Sequence, residues 1–490
     1  MRFNTLLSRV PDHYWGNGAL LVWGVLCLLF MRHDLYGLSE DAAKSILFTW
    51  SIADQVASSV VTFGTPDLRV LLFLPTGYLW TGNVFAAKVL TILLLAAGAR
   101  TLYLLGKESF GAESALISTG LLLIAPLTLS QLDTLSTGTY LLIAFALGAW
   151  VDKIYRTAPK SFNGWYFAQL LICAFSVSLH PAGLAYPLAL LWSWRSEPLD
   201  AKQQKFFLIG ISFTALLTLI IRMGWAGQSW LNNPLYSLGA ILIPDTPLSD
   251  HSSTSTLLAG ILVLVILAAT VLKQFTTLRT RLIGRILLTA LAIGVLVGDQ
   301  AWAMIALTVI LYFGFPILLR AGSAQSSAGF MKQRGWTLFL VFILSTLFMQ
   351  ADKIHRSINH EGVLSAQDQL IKTLATEAEK NRQANEAAEN KGEKIERFRV
   401  ASQWPSRTMI ACKCDTRPLP PAAKDPSAQL KMLRGISYVL LDPKKTENLA
   451  LARNLSLLGS LAETISLQQG GVLLHIKNGA PATQLPEEHH

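Results

Sequence analysis

Eleven stretches of the chain are apolar over lengths close to the hydrocarbon thickness of a bilayer: about 14–31, 84–105, 112–129, 138–152, 164–179, 181–194, 206–221, 256–272, 282–298, 300–319 and 336–350. A helix crosses that layer with roughly 20 mostly apolar residues. Backbone inside lipid has no water to bond, so it spans only as helix or closed barrel, and runs of this length without alternation read as helices. Composition agrees, with 52% hydrophobic residues, 15% charged residues and a mean hydropathy of +0.42, which excludes an ordinary soluble enzyme. Several runs are short of the ideal. Aromatic residues at their ends, as in "YWGNG" and "LLWSW", complete them at the membrane interface.

Short cytoplasmic loops are enriched in Lys and Arg, which orients the chain. With the N-terminus inside, the inner connections and their flanks carry seventeen Lys and Arg residues, among them Lys107, Lys153, Arg156, Arg279, Arg281 and Arg285; the outer ones before residue 351 carry Arg32, Lys44, Arg69, Lys88 and Arg222. Counting "LRVLLFLPTGYLW" (68–80) as a span would invert every later loop, so it is expected to be an interfacial or re-entrant helix in the first outer loop, 32–83. The first apolar run lacks a small-residue cleavage site after it and reads as an uncleaved signal anchor. The net charge of +10 is then explained by basic loops facing anionic membrane lipid, and no nucleic-acid partner is called for.

The expected architecture is an all-α polytopic membrane domain over 1–350, followed by a small extracytoplasmic α/β domain over 351–490. The tail opens with a charge-dense helix, "QDQLIKTLATEAEKNRQANEAAENKGEKIERF". Short strand-like runs follow at "RTMIACKC", "ISYVLLD" and "GVLLHIKNG", with "TENLALARNLSLLGSLAETI" as a helix between the last two. Cys27 and Cys173 fall within spans and read as packing residues. Cys412 and Cys414 are too close for an easy disulfide and lack further ligands for zinc, so no chemistry is assigned to them.

Ionisable groups at or near membrane depth mark function more often than those in solvated loops. On the outer side stand Glu40, Asp41, Asp67, Arg69, Asp133, His180 and Arg222, whereas the inner loops are basic and poor in carboxylates. An active site is therefore expected to face outward. Each residue also has a plain structural reading. "SEDA" is an N-cap with acids in the first helical turn, Asp133 is a turn residue, His180 is an interfacial histidine before Pro181, and Arg222 snorkels from a span end.

The layout resembles the GT-C superfamily of polyprenyl-phosphate-sugar-dependent glycosyltransferases, in the bacterial branch of protein O-mannosyltransferase-like proteins and the aminoarabinose transferase acting on lipid A. The resemblance rests on the first span, the acidic pair Glu40-Asp41 in "LSEDAAK", the acid and base of "TPDLRVLLFLPTGYLW" and the outer Asp133 of "QLDTLSTG". The family commonly has Asp-Glu where this chain has Glu-Asp, which leaves open which carboxylate is catalytic. The resemblance implies an enzyme of the bacterial inner membrane that moves a sugar from a polyprenyl-phosphate donor to a periplasmic acceptor: lipid A, pilin or another protein, or a polysaccharide. Asp41 or Glu40 would be the general base, with Asp67, Arg69, Asp133, His180 and Arg222 toward the donor and its phosphate. A divalent cation held by Asp41, Asp67 and Asp133 is compatible with this chemistry but demanded by no motif. The alternatives are an oligosaccharyltransferase or ligase using a lipid-pyrophosphate glycan, a transporter and a membrane scaffold. A transporter is expected to carry midplane polar groups and internal repeats, which this sequence lacks.

Overall fold

The computed structural model of the chain describes residues 12–31, 35–54, 67–80, 83–157, 164–195, 201–221, 238, 241, 254–296, 299–316, 366–390, 398–443, 448–468 and 471–477. They form two compact units, one of residues 1–33, 67–76 and 83–362, the other of residues 34–66, 77–82 and 363–490.

The first unit is helical: α1 (Asp12–Phe30), most of the helix Arg69–Leu79, then Val84–Phe110, Ala112–Ile124, Pro126–Thr134, Thr137–Thr157, Gly164–Leu179, Ala185–Arg195, Ala201–Ile221, Thr254–Thr280, Leu282–Val295 and Gln300–Val309. With Glu40–Asp54 of the second unit taken as α2, these last eleven are α3 to α13 in chain order. Among the described residues two helices, Val84–Phe110 and Leu257–Thr280, are long and apolar enough to cross a membrane, and a third does so if Ser114–Ile124 and Pro126–Thr134 form one bent span. Most of the other runs read as spans from the sequence form shorter apolar helices, and 336–350 lies outside the described residues. α10 and α11 expose rows of large apolar side chains, Phe206, Ile209, Phe213 and Leu216 on one and Leu258, Leu262, Val265 and Leu272 on the other. Surfaces of that kind suit lipid as solvent rather than water.

The bend between α5 and α6 is 52° and has a local cause. Pro126 has no N–H to give and forces the residue before it out of the α region; Ala125 accordingly sits at φ −59°, ψ 134°. The segment 68–80 is helical from Arg69. One polar knot ties α7, α8 and α9: Asp152, almost wholly enclosed, accepts hydrogen bonds from Arg156 Nε (2.6 Å), Trp194 Nε1 (3.1 Å) and Gln169 Nε2 (3.3 Å). Trp194 stacks on Phe207 with ring centroids 3.9 Å apart.

The second unit combines α2 with α14 (Ala366–Glu389), β1 (Arg399–Ser402), α15 (Pro405–Cys412), β2 (Asp415–Pro418), α16 (Pro426–Met432), β3 (Tyr438–Leu441), α17 (Leu449–Leu457), β4 (Ala462–Gln468) and β5 (Gly471–Ile476). The sheet order is β2-β1-β3-β5-β4. β1 pairs in parallel with both β2 and β3, and β5 pairs antiparallel with β3 and β4. Val439, Leu441, Leu474 and Ile476 pack with Leu451 and Leu455 of α17 in one core, while Leu440 and Leu473 pack with Leu370, Ile371 and Leu374 of α14 in another. Alternate residues of each strand thus serve opposite faces, as the two-residue strand period requires.

The structure corrects the sequence reading of this unit in places. "RTMIACKC" is helix through Cys412, since Pro405 suits the first helical position and Thr408, Ile410 and Cys412 are buried. The run 446–465, expected as one helix, is helix only to Leu457 and turns into β4 at Ala462. Cys412 and Cys414 are joined by a disulfide.

Candidate functional site

The first unit gathers polar groups from four connections. Asp67 precedes α3, and both its oxygens are taken by Arg69: Nε donates to Oδ1 and Oδ2 at 2.9 Å each, and Nη2 to Oδ2 at 2.6 Å. Arg69 Nη1 donates to the Leu135 carbonyl at 2.8 Å, and the guanidinium lies over the Tyr140 ring at 5.5 Å. Both side chains are enclosed, with 0% of Arg69 and 3% of Asp67 exposed, so Arg69 is directed into the protein. Leu135 ends α6 in the left-handed region at φ 53°, a conformation rare for a bulky residue, and its carbonyl is the one that Arg69 binds.

Two residues earlier, Asp133 lies at the end of α6 rather than in a loop. Its Oδ1 accepts from Lys88 Nζ of α4 at 2.6 Å; the lysine side chain is fully enclosed and the aspartate is 27% exposed. In the sequence Lys88 stands among the outer basic residues and not among the expected site residues. Its signal is a cation five residues after Asn83, which caps α4 through its side chain, where an unpaired charge would be costly. Nearby on α4, Thr91 Oγ1 shares a 2.6 Å hydrogen bond with Tyr140.

The third connection reaches Asp67 through Leu68, whose N–H donates to Ser178 Oγ at 3.2 Å. Two residues on, His180 Nδ1 accepts from the Ala182 N–H at 3.1 Å, so that nitrogen is the bare one and Nε2 carries the hydrogen. His180 Nε2 stands 2.6 Å from Asp299 Oδ2, while Asp299 Oδ1 caps α13 by accepting from the Trp302 N–H at 3.0 Å. Burial works to raise the Asp299 carboxyl, but His180 and the amides of Trp302 and Ala301 outweigh it and hold the group below the usual aspartate range. Asp67, Arg69, Asp133 and His180 are therefore linked within one unit, with Lys88 and Asp299 added.

Glu40 and Asp41 belong to the second unit. Ser39 caps α2, with its Oγ accepting from the Ala42 N–H at 3.3 Å. Glu40 Oε1 accepts from the Ser406 N–H at 2.7 Å and Oε2 from the Arg407 N–H at 3.2 Å. Burial pushes the Glu40 carboxyl up, against the opposing pull of those bonds and of Arg407. Asp41 is exposed. Arg222 lies outside the described residues. Among the described residues no group of three or more His, Cys, Asp or Glu side chains is placed to hold a metal ion.

No protein-family model and no curated protein matches the sequence. Solved structures do share its fold. The archaeal oligosaccharyltransferase AglB from Archaeoglobus fulgidus, in complex with an inhibitory peptide and a dolichol-phosphate, superposes over 96% of this chain and 75% of its own at a TM-score of 0.51 and 10% identity. The apo form of the Archaeoglobus fulgidus oligosaccharyltransferase covers 92% and 73% at 0.52 and 11%. ArnT from Cupriavidus metallidurans bound to undecaprenyl phosphate covers 94% and 98% at 0.49 and 13%. The likeness to the oligosaccharyltransferase spans nearly the whole chain, and it is a likeness of fold.

Proposed function

We propose that this chain is a membrane glycosyltransferase that moves a sugar from a polyprenyl-phosphate carrier to an acceptor on the extracytoplasmic side of the bacterial inner membrane. The observation that carries the reading is the GT-C fold, shared with a structure that holds a dolichol-phosphate. The chemistry of this chain's own residues supports it. A lipid-borne sugar phosphate brings an apolar tail, an anomeric carbon and an anionic leaving group to the membrane surface.

Asp41, exposed in the first turn of α2, takes the proton of the acceptor hydroxyl as that oxygen bonds to the anomeric carbon, a contribution of typically 10²–10⁴-fold. The bond from that carbon to the phosphate oxygen breaks, and the departing phosphate gains negative charge. Lys88, whose partner Asp133 is partly open to solvent, and Arg222 meet that charge, the electrostatic device that suits a charge developing in the transition state. Arg69 and Asp67, each saturated by the other and by Leu135, act on the donor site by fixing its walls, and His180 does so through Asp299. Asp67 and Asp133 are already paired with Arg69 and Lys88, which makes them poor ligands for a metal ion.

Transfer of a whole glycan from a lipid-pyrophosphate carrier is the second reading, favoured by the likeness to an oligosaccharyltransferase. The mass added to the acceptor separates the two. Lipid A, surface glycans and glycoproteins are compared in a strain lacking the chain and in the same strain carrying the native chain, Asp41→Asn, Glu40→Gln or Asp133→Asn. The native chain should restore a missing sugar that Asp41→Asn fails to restore. If all three variants restored it fully, these site roles would fall, and a deletion that altered solute uptake but no glycan would turn the reading to a transporter.

A further inference from the structure

We propose that Glu40 is a positioning residue: it fastens the first turn of α2 to the first turn of α15, so that its neighbour Asp41 is held outward as the base. The inference rests on the glycosyltransferase reading for Asp41 and on geometry alone for the fastening. α15 begins at Pro405, which has no N–H, and its N-cap residue Trp404 offers no side-chain acceptor. The next two amides, of Ser406 and Arg407, would be left without partners. Glu40 supplies one oxygen to each, from a position 366 residues earlier in the chain.

The fastening is closed from the other side. Arg407 turns its guanidinium to Asp368 Oδ1 (2.5 Å) and Gln367 Oε1 (3.2 Å) of α14, and the same Asp368 oxygen accepts from the Gly37 N–H at 3.3 Å. Gly37 holds φ +82°, a value glycine takes without steric cost. Residues 37 to 40 are therefore gripped at both ends, and Leu38, Ala42, Ala43 and Ile46 are buried along the same stretch. A helix turns about 100° per residue, so fixing Glu40 fixes the direction of Asp41. Both oxygens of Glu40 are engaged by backbone amides, which suits a cap better than a base. Asp41 is exposed, and its carboxylate bonds none of the described residues.

The test uses the full-length protein in lipid nanodiscs, with polyprenyl-phosphate sugars extracted from the strain that lacks the chain as donor. Amide hydrogen exchange over 404–410 is read beside kcat and donor KM. Glu40→Ala should speed exchange at Ser406 and Arg407 roughly five-fold, as loss of a helix cap does, and lower kcat by up to about 100-fold, as a misplacement near 1 Å does, with donor KM unchanged. Glu40→Gln, which keeps an acceptor oxygen, should recover part of both. Asp41→Asn should leave exchange unchanged and lose roughly 10²–10⁴ in kcat. Unchanged exchange in Glu40→Ala would overturn the fastening. If Glu40→Gln lost as much kcat as Asp41→Asn with native exchange, Glu40 would be the base instead. Should the native chain transfer no sugar while Glu40→Ala still loosened α15, the glycosyltransferase reading would fall with Asp41's role, and the fastening would stand.

Discussion

Lys88 Nζ and Asp133 Oδ1 are 2.6 Å apart, joining the start of α4 to the end of α6. Removing one partner of an enclosed ion pair costs about 3–5 kcal/mol, and the partial exposure of Asp133 brings the expected loss for Asp133→Asn to about 2 kcal/mol. Lys88→Met keeps the apolar stem and leaves only a partly hydrated carboxylate, so it should destabilise less while weakening transfer more. Melting temperatures in detergent check the first ordering and donor KM the second. A double variant Lys88→Met/Asp133→Asn should melt above Asp133→Asn alone.

Arg69 to Lys is a severe change despite conserving charge. The planar fork of Arg69 meets both oxygens of Asp67 and the Leu135 carbonyl at once, and a lysine ammonium has neither the plane nor the reach. Arg69→Lys should lose about 3 kcal/mol and give a poor yield of monodisperse protein. Arg69→Met/Asp67→Leu should recover part of that yield, because it leaves no unpaired charge behind. Size-exclusion profiles from equal amounts of membrane decide the matter.

The sequence showed these groups unevenly, for physical reasons. Asp67, Arg69, Asp133 and His180 stand out because each is a polar residue where the surrounding pattern is apolar. What each touches is not local: Arg69 reaches Leu135, and His180 reaches Asp299. Lys88 is hidden because a lysine near a span end usually serves the interface. The strand expected at "RTMIACKC" is a helix whose cap comes from Glu40, far away in the chain, and no window around residue 406 contains that information. The helices of the first unit were legible because hydrophobic runs set them locally. The sheet was legible at β3 and β5, where the runs are apolar, and not at β1 and β2, whose four residues each carry little pattern.

The His180–Asp299 pair carries a pH dependence whose sign follows from the lowered Asp299 carboxyl. A carboxylate held below its unfolded value stabilises the fold fully above that value and stops doing so as pH falls through the folded one. Asp299→Asn keeps an oxygen to cap α13 at Trp302 but loses the charge facing His180. The native protein should therefore melt above Asp299→Asn near neutral pH, and the two should converge in acid below the usual aspartate range. Paired melting curves across pH test this, and a gap that persists unchanged in strong acid would remove the ionic explanation.

Gly183 sets the turn that follows His180. A Cβ there would fall 1.8 Å from the Ser176 carbonyl oxygen and 2.3 Å from its carbon, both backbone atoms of α8 with no side-chain freedom to yield. Overpacking typically costs 1–3 kcal/mol, and a clash with backbone on this scale puts Gly183→Ala at the upper end, roughly 3 kcal/mol. Gly120→Ala, inside α5 where nothing lies within 4 Å, is the control and should melt at or slightly above the native protein, because alanine is the better helix former. Thermal unfolding of the two variants side by side gives the comparison.

Sidedness is the most general expectation, and the break between α5 and α6 makes it sharp. With seventeen basic residues assigned inside and five outside, positions 41 and 133 are expected to face the same side and position 153 the other. Between 41 and 133 the chain passes through α4 and then the pair Ser114–Ile124 and Pro126–Thr134, bent by 52°. If that pair turned back instead of crossing, position 133 would share a side with position 107 and every later loop would invert. Single cysteines replacing Asp41, Asp133 and Lys153 report on this directly with a membrane-impermeant thiol reagent. The two free native thiols, Cys27 and Cys173, are buried, and Cys412 is tied to Cys414, so the background is low. Cysteines at 41 and 133 should label in intact spheroplasts and the one at 153 only after lysis. Labelling at 133 that also waits for lysis would mean that the bent pair does not cross and that Asp41 and Asp133 cannot serve one reaction.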